Sequence, residues 1–185
     1  VFAEKRGSRV GTIDLFLMTS YDVIDCENCD GGPTVGGAGH QEKTMTANQM
    51  NADVAKLLAG LEGRRIDHVF FVACGGSFAV MQPGKYLLDR HSAALPSDCY
   101  NADEFVCRDP RTLTGNSLVI LCSMTGTTRE TLAAAEHARA KGATTVGLSV
   151  DLGSPLARTV DFPVKFEAPY TTGIPIDAAD SNYAR

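Results

Sequence analysis

The chain has 185 residues, 44% hydrophobic and 21% charged, with a formal net charge of -5 and a sequence pI near 5.3. That length predicts one domain with room for an extension, and the apolar content suffices for one core. An acidic balance without a basic cluster argues against nucleic acid as the main partner, yet leaves small anions open, because local dipoles hold them whatever the net charge.

No apolar run approaches the roughly 20 residues that span a bilayer. Residues 1–9 lack the apolar block of a secretory signal. A cytoplasmic chain with no membrane partner is therefore expected.

Residues 1–44 read as a poorly structured leader, with one strand compatible with 10–18. Of the six cysteines, Cys26 and Cys29 form a lone Cys-x-x-Cys without a second pair or spaced histidines. Two free thiols in a loop are expected there, and no metal or cofactor. Gly36-Gly37-Ala38-Gly39 superficially suggests a phosphate loop, but no helix pattern follows it, so it reads as linker.

Order improves at Thr46. Thr46-Ala47-Asn48-Gln49 has capping-box spacing, and Met50, Val54, Leu57, Leu58 and Leu61 recur at helical spacing up to Gly63. A strand is expected over 68–73, with Val69, Phe70, Phe71 and Val72 as a continuous apolar run, as strands covered on both faces have. A Gly-Gly-Ser turn and a helical stretch to Arg90 follow, interrupted at Pro83-Gly84. A weak strand is expected near 98–100 and a second strong one over 117–122. A helix over about 127–141, closed by Gly142, precedes a third strong strand over 144–149. Ser154-Pro155 starts a short helix, and 162–166 is the last strand. Strands alternating with helices predict an α/β, three-layer, doubly wound parallel sheet, with ligands bound beyond the strands' carboxyl ends.

Two strand ends carry the chemistry. Cys74 and Cys122 each end an apolar run, where a reduced thiol packs as a small hydrophobe. After the first run, Gly75 and Gly76 allow a tight turn, and Ser77 falls near a helix start, where free N–H groups favour an anion. The plain alternative is an N-cap serine. After the second run comes Ser123-Met124-Thr125-Gly126-Thr127-Thr128-Arg129-Glu130. Thr127 and Glu130 fit a capping box, which leaves Ser123, Thr125 and Thr128 free. Hydroxyls and backbone amides can hold a phosphate without lysine. A P-loop is excluded, since no Gly-Lys-Ser/Thr follows.

These two segments resemble the two phosphate loops of the SIS (sugar isomerase) domain family, whose second loop reads Ser-x-Ser-Gly-x-Thr. The resemblance implies a five-stranded parallel sheet and a phosphosugar site made by Gly75, Gly76, Ser77, Ser123, Met124 through its backbone, Thr125, Gly126 and Thr128. Ile66-Asp67-His68-Val69-Phe70-Phe71-Val72-Ala73-Cys74-Gly75, Lys85-Tyr86-Leu87-Leu88-Asp89-Arg90 and Asp103-Glu104-Phe105 look more narrowly like the first half of fructosamine-6-phosphate deglycases. Isomerase domains of glucosamine-6-phosphate synthases are more distant. The likeness covers about 49–166, so 45–168 is expected to be the SIS domain and 169–185 a tail or a linker to a missing second half.

The family enzymes usually carry two SIS domains, and their Glu-and-His motif lies in the second. Here Glu104 sits at a related acidic position, and Cys107 stands where the second domain has its histidine. Isomerisation or deglycation needs a base and an acid. Glu104 is the candidate carboxylate, with a solvated helical carboxylate as its alternative. His91 and His137 are the candidate acids, the latter expected to be exposed. The expected ligand is a sugar phosphate and the expected assembly a homodimer or larger, with a non-catalytic sugar-phosphate sensor as the alternative. A dinucleotide-binding oxidoreductase is disfavoured, because Cys74-Gly75-Gly76-Ser77 is not Gly-x-Gly-x-x-Gly.

Overall fold

The computed structural model describes residues 52–166. The strand expected over 10–18, the cysteine pair at 26 and 29, the glycine run at 36–39, the capping box at Thr46 and the tail at 169–185 lie outside the described residues.

Helix α1 occupies 52–61, and Gly63 turns the chain with φ 75°. The order is then β1 (His68–Ala73), α2 (Gly75–His91), β2 (Ser97–Asn101), α3 (Ala102–Arg108), β3 (Ser117–Cys122), α4 (Arg129–Ala140), β4 (Thr144–Ser149), α5 (Pro155–Thr159) and β5 (Phe162–Lys165). The five strands form one sheet in the order β2-β1-β3-β4-β5, with every pair parallel.

Side chains alternate across a strand, and the sheet buries both faces. Val69, Phe71, Ala73, Leu118, Ile120 and Cys122 pack with Leu57 and Leu61 of α1 and Met81 and Leu88 of α2. Phe70, Val72, Val119 and Leu121 pack on the other side with Phe105 of α3, Ala134, Ala135 and Ala138 of α4, and Leu156 of α5. All residues of β1 and β3 are buried, which explains their unbroken apolar sequence. Each large side chain so buried contributes about 1.5–3 kcal/mol. The result is the expected three-layer, doubly wound α/β sheet.

Local details correct two expectations. Helix α2 is continuous through Pro83. Proline removes one backbone donor and crowds the preceding turn, but Met81 and Leu88, buried on either side of it, fix both halves to the same sheet face. Helix α4 starts one residue later than its capping-box spacing implies. Its N-cap is Thr128, and the Thr127 hydroxyl pairs with Thr125 instead.

Other expected ends hold. Gly142 has φ 79°, with its amide and that of Ala143 bonded back to Arg139 and Ala138. Ser154 caps α5 ahead of Pro155. Among the described residues no helix is long and apolar enough to cross a membrane.

Candidate functional site

The parallel register brings the carboxyl ends of β2, β1 and β3 to one edge, where Ala73 lies beside both Asn101 and Cys122. The chain turns there into α2 and into the loop before α4, so two helix N-termini open at adjacent strand ends.

The first turn rests on Gly75, whose φ of 56° is strained for any residue with a Cβ. A Cβ at Gly75 or Gly76 would meet nothing within 4 Å, so the glycines face open space. Gly75, Gly76 and Ser77 are the first three helical residues, and their N–H groups have no intrahelical acceptor. The first backbone bond of the turn runs from Phe78 N to Cys74 O at 3.3 Å.

The N-cap is Cys74, without a side-chain cap bond, so Ser77 is not a capping serine. Its hydroxyl lies close to the buried Cys122 thiol at the end of β3, whose pKa burial pushes up to about 11. The contact is therefore between neutral groups and ties the first loop to the second strand end.

The second loop holds its hydroxyls in pairs. Ser123 Oγ and Thr128 Oγ1 are 2.9 Å apart, and Thr125 Oγ1 and Thr127 Oγ1 are 2.7 Å apart. Ser123 is buried, whereas Met124, Thr125 and Thr127 are exposed. Gly126, at φ 66°, donates its N–H to Ser123 O at 3.0 Å. Two carbonyls are occupied from behind: Met124 O accepts from Val150 N, and Gly126 O from Leu156 N, each at 3.0 Å. The N–H groups of Met124, Thr125, Thr127 and Thr128 have no acceptor among the described residues. A loop with two carbonyls held from behind and four N–H groups free is suited to an anion.

Every sequence-predicted loop residue lies in these two turns, but Gly126 has a packing role as well. A Cβ there would lie 2.2 Å from Ser154 Oγ.

The candidate acid–base residues are placed differently. Glu104, in the first turn of α3, pairs with Arg108 at 2.9 Å. His91 ends the 17-residue α2, about 24 Å along the helix from its start at 1.5 Å per residue. His137 is half-buried, contrary to expectation. It lies edge-on to Phe105 and 2.9 Å from Asp109, so it braces α4 against the end of α3. Cys107 is exposed.

Asn101, which the sequence reasoning missed, sits at the same edge. Its Oδ1 accepts from Asp103 N at 3.4 Å and faces the Cys74 thiol at 3.8 Å. The signal for it is an N-cap residue ahead of acidic first-turn residues. Among the described residues, no three His, Cys, Asp or Glu side chains converge as a metal-binding group.

The SIS domain family matches residues 64–175. A fructosamine deglycase of Bacillus subtilis is 48% identical over 119 residues, covering 64% of this chain and 36% of that protein. A glutamine–fructose-6-phosphate aminotransferase (isomerizing) of Clostridium acetobutylicum is 38% identical over 96 residues, covering 52% and 16%. The structure of a candidate phosphosugar isomerase from Bacillus subtilis superposes with TM-score 0.63 at 46% identity, covering 68% of this chain and 38% of that one. The chain thus spans little more than a third of the deglycase it resembles. With the family matched over more than half of the sequence and its sheet and two strand-end loops in place, the chain belongs to the SIS domain family.

Proposed function

We propose that the loops after β1 and β3 bind the phosphate of a sugar phosphate, and that the chain serves aldose–ketose isomerisation or fructosamine-6-phosphate deglycation. The observation that carries this reading is the Ser123–Thr128 hydroxyl pair at 2.9 Å beside free main-chain amides at the end of β3. Gly75, Gly76 and Ser77 would add the amides of the α2 N-terminus. Met124 would contribute its N–H, Thr125 its hydroxyl and N–H, and Gly126 the turn that presents them. The family and its deglycase and isomerase relatives support a phosphosugar as the ligand.

The chemistry needs a base that moves a proton between neighbouring carbons and an acid that assists at oxygen. The hydroxyls and amides of the named loop residues bind, but none has a pKa near neutral pH that would suit it to acid–base work. Glu104 is a carboxylate at the same sheet edge, with Asp103 beside it and Glu130 in the first turn of α4, and release from Arg108 would free it to act. The remaining groups would come from a second subunit, in a homodimer or larger assembly, or from a second SIS domain. A binding-only sensor is the second reading, favoured by the engagement of Glu104 with Arg108.

The test is thermal stability with fructose 6-phosphate and glucosamine 6-phosphate against the unphosphorylated sugars. A ligand at 100 times its Kd stabilises the fold by about 2.7 kcal/mol. A shift with the phosphates alone supports the site; none, in folded protein, refutes it. Amine release from a fructosamine 6-phosphate then separates enzyme from sensor.

A further inference from the structure

The stretch from the end of β4 through to α5 holds the second loop at three points. Ser123 N donates to Leu148 O at 3.1 Å, Val150 N to Met124 O at 3.0 Å, and Leu156 N to Gly126 O at 3.0 Å. The last two bonds matter to an anion, because a carbonyl oxygen left facing it would repel it. Their geometry depends on how closely Gly126 approaches α5.

That approach is set by one side chain. A Cβ on Gly126 would lie 2.2 Å from Ser154 Oγ, 2.4 Å from Ser154 Cβ and 3.5 Å from Leu156 Cβ. Ser154 is 3% exposed and its hydroxyl is held on two sides. It accepts from Ala157 N at 3.3 Å and lies 3.2 Å from Ser149 Oγ. Ser149 is itself buried and donates to Asp151 O at 2.9 Å. The serine cannot turn aside without breaking the cap of α5.

We infer that Ser154 is a positioning residue for the phosphate loop: its small, capped side chain lets Gly126 seat against α5, which keeps the Met124 and Gly126 carbonyls turned inward and the loop's N–H groups free. The inference rests on the phosphate-binding reading proposed above. It assigns to α5 a role in that site, although α5 supplies no ligand-contacting group.

The test compares Ser154→Val with Thr145→Ala in the full 185-residue chain. Thr145 lies in the same β4–α5 unit, but its hydroxyl bonds Asp161 at 2.8 Å, away from the loop. Fructose 6-phosphate affinity is measured by titration calorimetry and melting temperature by circular dichroism. Both variants lower the melting temperature. Ser154→Val weakens binding about tenfold or more, because the displaced amides lose length and angle, while Thr145→Ala binds as the wild type does.

If Ser154→Val does not fold, Ser154→Thr, which keeps the hydroxyl and adds one methyl, decides by the same criterion. Unchanged affinity in the folded Ser154 variant overturns the inference, as does an equal loss in Thr145→Ala, which would mark a general effect of stability. A wild type that binds no phosphosugar overturns the phosphate reading itself, and this inference with it.

Discussion

Replacing both Ser123 and Thr128 by alanine separates binding from stability, because of how the two hydroxyls are used in the free protein. They bond each other at 2.9 Å, and Thr128, although the N-cap of α4, makes no side-chain cap bond. Removing both members of a hydrogen-bonded pair is close to neutral for folding, whereas removing one strands the other at about 1–3 kcal/mol. Thr128→Ala alone, which strands the buried Ser123 hydroxyl, should therefore destabilise by about 1 kcal/mol or more, and the double variant by less.

Toward a phosphate the order reverses. Each hydroxyl that turns to a charged oxygen contributes about 1.5–3 kcal/mol, so losing both weakens binding by at least about 3 kcal/mol. That is about a hundredfold in Kd. Urea unfolding and calorimetric titration with fructose 6-phosphate measure the two quantities on the same samples. A folded double variant binding within about threefold of wild type would refute the assignment. A double variant less stable than Thr128→Ala would refute the claim that the hydroxyls serve mainly each other when no ligand is bound.

Three other predictions rest on single contacts. Hydrogen bonding from Lys141, joined by His137, holds the Asp109 carboxyl below its usual range despite an opposing desolvation. A carboxyl lowered on folding adds stability above its unfolded pKa and loses it as pH falls through the folded value. The urea midpoint of the wild type should therefore fall more steeply below about pH 4 than that of Asp109→Asn. Maleimide at neutral pH should label the peptide containing exposed Cys107 well before that containing Cys122, whose thiol stays protonated at a pKa of about 11. Peptide mapping with and without urea reads this directly. Pro83→Ala should raise the unfolding free energy by about 1–2 kcal/mol, since it restores a donor in the middle of α2 and relieves the ring's crowding, offset by a freer unfolded chain.

Much of the fold was legible because burial on both sheet faces leaves a simple trace. Phe70 and Phe71 are adjacent in sequence yet pack on opposite faces, so an unbroken apolar run was the correct sign of a central strand. Polar β2, Ser97–Asn101, was faint because most of it is only half-buried at the sheet edge. Pro83 misled because its local penalty is overridden by buried residues on both sides. The capping box at Thr127 and Glu130 misled for the opposite reason. Its spacing was correct, but the Thr127 hydroxyl had a nearer partner in Thr125.

The two site loops were legible as side chains, and their hydroxyls fall at the expected strand ends. The sequence pointed to free amides and to the Met124 backbone, but not to which main-chain groups of the loop are free and which are held. The amides of Thr125, Thr127 and Thr128 carry no residue signature, and the nearby carbonyls point inward only through bonds to Val150 and Leu156, more than twenty residues further along the chain.

None of the residues proposed to contact phosphate, Gly75 to Ser77 and Ser123 to Thr128, is a lysine or arginine, Arg129 being the first residue of α4, and this is informative on the proposed reading. A guanidinium or ammonium would hold a phosphate through charge as well as hydrogen bonds, and charge-assisted contacts of that kind are roughly twice as strong as neutral ones. Fixed N–H dipoles and hydroxyls give up part of that strength but keep direction, since each donor is held by the turn that carries it. Such a site fixes where the phosphate sits and lets the ligand exchange. The remote phosphate then orients the sugar carbons, and its binding energy can serve the reacting centre. On that reading two glycine turns at adjacent strand ends would locate the ligand, while the groups that move protons would come from first-turn carboxylates such as Glu104 of α3, or from beyond the described residues.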